Sequence, residues 1–283
     1  MNPYFVLLSF VFLISTVLSS ANPPFDYVWG TAHHVLPETH SEESGYFSLC
    51  EGNDGRIFIG TSKYDHNAYL VEFDPVTEKQ RVVVDAHKVC GLTAKGYAAQ
   101  AKFHTRNYVG PSGIIYAGTK QGYAKKGDTS EYPGGYLITY DPRNDTARNL
   151  GMPYEKQGIA DVVADESRGL IYVVTCEEQH WMLYDTETKK FTELGPMLTP
   201  YATTLMDAEG KAHALTKDFQ LATYDPATKK VSLRPIEVGG KIFERASRSS
   251  IPTWNLDADG RTAWLILMND AHLLSIELSS KGK

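Results

Sequence analysis

The sequence predicts an all-β chain, a β-propeller of four-stranded antiparallel blades in which five repeats are visible. Three observations predict it. A Gly-bearing turn followed by a short apolar strand recurs five times, a second strand ending in an Asp turn accompanies it, and the repeats are spaced at about the length of one blade.

The first unit reads Asn53-Asp-Gly-Arg-Ile-Phe-Ile-Gly-Thr61 and returns as Pro111-Ser-Gly-Ile-Ile-Tyr-Ala-Gly-Thr119. Further copies are Glu166-Ser-Arg-Gly-Leu-Ile-Tyr-Val-Val-Thr175, Ala208-Glu-Gly-Lys-Ala-His-Ala-Leu-Thr216 and Ala258-Asp-Gly-Arg-Thr-Ala-Trp-Leu-Ile266. β-Branched and aromatic residues after a Gly turn are the composition of a strand leaving a tight corner. The Gly-Thr endings of these strands read as turn chemistry.

The second unit is Leu70-Val-Glu-Phe-Asp-Pro-Val-Thr-Glu-Lys79, matched by Leu137-Ile-Thr-Tyr-Asp-Pro142, Met182-Leu-Tyr-Asp-Thr-Glu-Thr-Lys189 and Leu221-Ala-Thr-Tyr-Asp-Pro-Ala-Thr-Lys229. The copy Leu274-Ser-Ile-Glu-Leu278 is degenerate. Asp bonds the backbone two residues on, and Pro presets φ for the second turn position. An outer strand follows each turn, as in Arg81-Val-Val-Val84 and Phe191-Thr-Glu-Leu194. The aligned Asp74, Asp141, Asp185 and Asp225 lie 67, 44 and 40 residues apart. No segment carries a long amphipathic helical pattern, which argues against α/β and helical-repeat folds. The fifth repeat lacks an outer strand. Either the stretch Asp26–Leu36 supplies it and closes a five-bladed ring, or the chain is a fragment of a larger, seven-bladed ring.

Residues 1–21 read as an export signal, with 22–283 as the propeller domain. The apolar run Phe5–Leu18 is followed by Ser19-Ser-Ala21 and is too short for a comfortable membrane span. No Lys or Arg precedes it, so an uncleaved anchor is the alternative route to a membrane. The expected location is secreted or periplasmic. A formal charge of -6 argues against a nucleic-acid partner. It leaves room for a glycan or small polar ligand met by locally gathered cations. Cys50, Cys90 and Cys176 allow at most one disulfide. Asn144-Asp-Thr146 fits a glycosylation acceptor.

In a meander, successive loops alternate between the two ends of the strands. Here the A–B and C–D turns are short and stereotyped, whereas the B–C loops are varied and polar, so function is expected on their face. Candidate ligand contacts there are Tyr64, His66, Gln121, Gln179, His180 and Asn269. The insertion Lys125–Ser130 reads as a rim, a lid or a surface loop. The inner strand Lys102-Phe-His-Thr-Arg-Asn-Tyr108 places His104, Arg106 and Tyr108 on one side by alternation. His104 is a candidate proton-transfer group because histidine titrates near neutrality, or a hydrogen-bonded structural residue. His33, His34, His66, His180 and His272 with Glu177 or Gln179 could ligate a divalent metal. None has tight ligand spacing, so no metal ligand is assigned and the cofactor stays unknown. The adjacent Glu177 and Glu178 are expected to point to opposite sides.

The Tyr-Asp-Pro-x-Thr-x-Lys turns resemble those of the YVTN- and NHL-like propeller superfamily over residues 46–278, a likeness specific for fold. The segments Lys102-Phe-His-Thr-Arg106, Gly118-Thr-Lys-Gln-Gly-Tyr123 and Tyr132-Pro-Gly-Gly-Tyr136 resemble secreted propeller polysaccharide lyases acting on uronate-containing polymers. That resemblance implies β-elimination, with Arg106 neutralising the uronate carboxylate, His104 as base and Tyr123 as acid. It departs from the lyases in blade number, seven against five. The alternatives are a non-catalytic propeller that binds a glycan or protein, and a gluconolactonase-like hydrolase, whose axial ring of metal-holding Glu, Asn and Asp is not evident here.

Overall fold

The computed structural model describes residues 30–39, 41–43, 47–243, 253–267 and 272–278. The segment up to His34 forms one compact unit and Val35–Lys283 another. The expected signal segment and Asn269 lie outside the described residues.

The second unit is a succession of antiparallel sheets, each a meander in chain order. The first contains β1 (Leu49–Glu51), β2 (Ile57–Gly60), β3 (Tyr69–Asp74) and β4 (Lys79–Asp85). The helix α1 (Ala86–Cys90) then leads to the second sheet. Its inner strand is split into β5 (Lys102–Phe103) and β6 (Tyr108–Val109), both paired with β7 (Ile115–Lys120), followed by β8 (Leu137–Asp141) and β9 (Thr146–Gly151). The third sheet is β10 (Gly158–Asp165), β11 (Leu170–Cys176), β12 (Trp181–Asp185) and β13 (Lys190–Glu193). The fourth is β14 (Leu205–Met206), β15 (Ala212–Leu215), β16 (Gln220–Asp225) and β17 (Lys230–Pro235). A small ribbon of β18 (Glu237–Val238) and β19 (Lys241–Ile242) precedes a fifth sheet of β20 (Thr253–Leu256), β21 (Thr262–Ile266) and β22 (Leu273–Glu277).

Packing follows from strand alternation. In β7, Ile115 and Ala117 join the core against the first sheet, while Tyr116 between them joins the core against the third. In β11, Ile171 and Val173 face the second sheet and Tyr172 and Val174 face the fourth. A further core around Trp254, Leu265 and Leu221 joins the fourth and fifth sheets. Four cores thus link five sheets in sequence, the blade-on-blade packing of a propeller.

The repeated turns explain their sequence. Asp74 accepts the backbone N–H groups of Val76 at 2.9 Å and Thr77 at 3.3 Å. Asp185 likewise accepts Glu187 and Thr188, and Asp225 accepts Ala227. Glu78, Asp145, Lys189 and Lys229 then take positive φ to re-enter the outer strand. Asn144 of the glycosylation acceptor sits exposed in one of these turns.

Several expectations are corrected. Gly60 and Gly118 lie within strands, not turns. A Cβ on Gly118 would stand 2.4 Å from Ile159 Cγ2, and one on Gly60 would stand 2.6 Å from Phe103 Cβ, so these glycines permit close sheet-to-sheet approach. The long spacing before Asp141 comes partly from α1 and the connection after it, besides the B–C insertion. Residues 30–36, the described part of the expected closing strand, form no strand. All three cysteines are free; burial pushes the Cys50 and Cys90 thiols up to about 12.

Trp181 is 0 % exposed, packs between the third and fourth sheets and donates Nε1–H to Thr204 Oγ1 at 3.1 Å. Trp181→Ala should cost about 3–5 kcal/mol in urea unfolding. The control Val76→Ala, at a position 91 % exposed, should stay within about 0.5 kcal/mol.

Candidate functional site

The B–C loops gather at the end of the strands where β5 begins and β7 stops. There Lys102 pairs in register with Lys120, and Ser62 of the first sheet bridges to Lys102. Two lysines thus stand side by side on adjacent strands. Lys102 is 2 % exposed, and its Nζ lies 5.2 Å from the ring centre of Tyr64 and 5.5 Å from that of Tyr123. These rings meet edge to face at 5.1 Å. Burial and the neighbouring Lys120 hold Lys102 below the ordinary lysine range. For Lys120, burial disfavours the ammonium, but Cys176 and Glu177 outweigh it and hold its pKa above the ordinary range. Lys120 Nζ reaches Glu177 Oε1 at 2.6 Å.

His104 lies just beyond β5. Its backbone N–H donates to the Gly118 carbonyl at 2.9 Å, and its Nδ1 lies 3.1 Å from the Ile159 carbonyl oxygen of the third sheet. Burial first, then Lys120 and Lys102, depress its pKa to about 3. The neutral ring therefore donates from Nδ1, leaving Nε2 as the acceptor nitrogen. Of the two readings of His104, this favours the hydrogen-bonded structural one: it ties two blades together and has weak proton affinity.

Pairing along the inner strand is interrupted between Phe103 and Tyr108. The segment from His104 to Asn107 leaves the ladder because Thr105 Oγ1 accepts the Gly118 N–H at 3.0 Å and Asn107 adopts φ of 27°. Side-chain bonds to the backbone here replace strand pairing. Arg106 consequently borders two hollows. One, of about 110 Å³, is lined by Phe47, His104, Arg106, Ala160, Tyr201 and Thr203. The other, of about 400 Å³, runs along the inner strands of the second to fifth sheets and takes its polar groups from Arg106, Asn107, Tyr108, Asp161, Thr204 and Asn255. Asp161 is 3 % exposed; burial raises its pKa to about 6 against the pull of Arg106, whose Nε stands 3.8 Å from Asp161 Oδ1.

Of the expected site residues, His104 and Arg106 share a cleft, and Tyr64 and Tyr123 share the Lys102 cluster. The tyrosine lining the His104–Arg106 cleft is Tyr201, not Tyr123. Gln121 is buried, with Nε2 3.4 Å from Tyr97 Oη and Oε1 unpartnered. His66 is exposed and contacts the carbonyl of Tyr64 through Nδ1. Gln179 donates to the Glu177 carbonyl. His180, in the loop just before the third strand β12, stacks on Tyr154 at 3.8 Å and meets Glu193 at 2.7 Å and Glu178 at 3.2 Å, so it serves blade packing rather than the inner strands. Glu177 and Glu178 do part company, one to Lys120 and one to His180. The Lys125–Ser130 loop is pinned: Asp128 accepts from the backbone of Tyr97 and of Ser130, and Lys125 pairs with Asp65. Among the described residues, no three His, Cys, Asp or Glu side chains gather as a metal site.

Lys102, Lys120, Tyr201, Asn107 and Asp161 escaped the sequence reading. The usable signal was Asp161, an acid between the apolar Ala160 and Val162 midway along the strand Gly158–Asp165.

No protein-family model and no curated protein matches the chain. Solved structures do. The extracellular domain of a one-component system from B. thetaiotaomicron is 17 % identical with a TM-score of 0.51, over 80 % of this chain and 26 % of that one. The Dos1 propeller is 15 % identical with a TM-score of 0.53, over 80 % and 52 %. A puromycin-hydrolyzing peptidase of Mycobacterium tuberculosis is 14 % identical with a TM-score of 0.51, over 82 % and 36 %. The chain therefore spans about half or less of the length of these structures. At such identities the likeness establishes the propeller fold and carries no activity.

The depressed histidine gives a signed expectation. Between pH 6.5 and about 3 the native state binds fewer protons at His104 than the unfolded chain, so stability is lost as pH falls through that window. His104→Asn keeps a donor toward Ile159 and removes the titration. Its thermal midpoint should fall less on acidification than that of the wild type; equal slopes would show His104 to be an ordinary, solvated histidine.

Proposed function

We propose that the chain is an exported β-propeller that binds a carboxylate-bearing carbohydrate at the loop face where the inner strands converge. The observation that carries this reading is the pairing of Lys102 with Lys120, Lys102 lying against the Tyr64–Tyr123 pair and both lysines acting on His104, which shares a cleft with Arg106, in a chain whose formal charge is -6. Cations concentrated against the overall sign of a protein favour an anionic partner. Aromatic rings beside them supply the flat apolar surface against which sugar C–H groups pack, and Arg106 offers a planar fork suited to a carboxylate. The apolar run Phe5–Leu18 with its small-residue boundary supports export.

A second reading, uronate β-elimination, draws support from His104 and Arg106 bordering one cleft with Tyr201. In it Arg106 neutralises the carboxylate and His104 Nε2 removes the proton, with Tyr123 as the expected acid. A base whose conjugate acid has a pKa of about 3 is poorly matched to that task, which favours binding over catalysis.

Retention on immobilised polygalacturonate, compared with neutral dextran, tests the proposal. The wild type should be retained on the acidic polymer alone, retention should fall with salt, and Arg106→Ala or Lys120→Ala should weaken it on the order of tenfold each. Equal retention on both matrices, or on neither, would refute it. Ultraviolet absorbance from an unsaturated uronate product would move the assignment to the lyase reading.

A further inference from the structure

The axial hollow holds polar groups that the blade scaffold leaves unspent. Asn107 is 5 % exposed; its Oδ1 accepts from Ser48 Oγ at 3.0 Å and Thr105 Oγ1 at 3.3 Å, while its Nδ2 has no partner. A buried amide nitrogen without an acceptor costs on the order of 1–3 kcal/mol and is rare without a reason. Asp161 shares that lining. A bulge after Ile159 shifts the register of β10 at this point, and Asp161 Oδ2 accepts the Thr204 N–H at 2.9 Å. The Arg106 Nε to Asp161 Oδ1 separation of 3.8 Å is too long for a hydrogen bond. One cation, one amide donor and one carboxyl therefore border a hollow of about 400 Å³, at the small end of ordinary ligand sites.

We propose that this hollow is a ligand site for a single hydroxyl-bearing carboxylate of the sugar-acid type, with Arg106 and Asn107 Nδ2 donating to its carboxylate and Asp161 facing a hydroxyl. Because Arg106 borders both hollows, the proposal deepens the glycan reading on which it rests: the unit taken along the axis is an acidic chain end. Asp161 then sets when Arg106 is available. Ionised, its carboxylate competes with the ligand for the guanidinium; protonated, it does not.

Among the described residues, the titratable or charged groups in the lining are Arg106, Tyr108 and Asp161, and the fourth and fifth sheets contribute Thr204, Leu205, Met206, Asn255 and Leu256. Burial, then Glu166 and Asp165, keep Tyr108 above its ordinary range. His104, in the adjoining hollow, stays neutral because burial and the flanking Lys120 and Lys102 hold its pKa at about 3. Asp161, at about 6, is the lining group that changes charge between about pH 5 and pH 7.5.

Isothermal titration of the full chain with glucuronate at those two pH values tests this. One site should be seen, on the order of tenfold tighter at the lower pH. Asp161→Asn should abolish the pH dependence. Asn107→Asp, which keeps the Oδ1 contacts and replaces the donor by an acceptor, should weaken binding on the order of tenfold while the unfolding midpoint reports whether the fold survives. Unchanged pH dependence in Asp161→Asn, or unchanged affinity in folded Asn107→Asp, overturns the proposal. Polygalacturonate retention without glucuronate binding overturns the axial site and leaves the loop-face reading standing. Glucuronate binding without polymer retention supports the axial site and overturns that reading.

Discussion

Every interior sheet of this protein has to bury both of its faces, and the rest of the architecture follows. A sheet with one wet face can stop at a single partner, whereas β7, β8, β11 and β12 carry apolar side chains in both alternating sets. Tyr116 and Ala117, neighbours in sequence, belong to different cores. Successive sheets must therefore stack one on the next. Sheet twist, of one hand in every blade, turns that stack about an axis. The close approach this demands is visible at Gly60 and Gly118, where a side chain would collide with the next inner strand or the residues beside it.

Stacking about an axis concentrates polar groups where apolar ones would have been cheaper. Lys102 and Lys120 meet because register pairs them, and the cost of their burial is offset differently for each. Glu177 and Cys176 compensate Lys120, whereas Lys102 lies against two tyrosine rings and keeps a lowered pKa. Their combined field, added to burial, is what holds His104 neutral. The same logic runs with opposite sign at Asp161, where burial raises a carboxyl that a guanidinium 3.8 Å away only partly compensates. Electrostatics at this face is a consequence of packing, since each group is placed by a strand and tuned by its neighbours.

The periodic part of the fold was legible in the sequence. Asp74, Asp141, Asp185 and Asp225 announce turns whose backbone bonds the structure displays, and the strands before them alternate as a blade requires. What alternation could not reveal was where pairing fails. Thr105 and Asn107 divert the inner strand into side-chain bonds, although His104 and Arg106 still line one hollow and Arg106 and Tyr108 another. Loop variability marks the candidate face, and His104 and Arg106 line one hollow. The proton-transfer reading of His104 rested on the reference pKa of an isolated imidazole, which ignores burial and two lysines from different strands, whereas the structural reading made beside it fits the bond to Ile159. His180 was misjudged: its loop belongs to the right end of the blade, but it leads into the strand third from the inside, and the ring is spent on Tyr154 and Glu193. Tyr201 enters only through three-dimensional proximity between sheets, which no local pattern encodes, whereas Asp161 showed itself only as an acid between apolar neighbours.

Pairwise nitroxide distances between the exposed Asp turns test the radial arrangement most directly. Labels at positions 76, 143, 187 and 227 mark the outer turns of the first four sheets. A common axis predicts similar separations for consecutive sheets and longer ones for every non-consecutive pair. Two facing layers would instead bring a non-consecutive pair as close as a consecutive one, and the converging inner strands would have no basis.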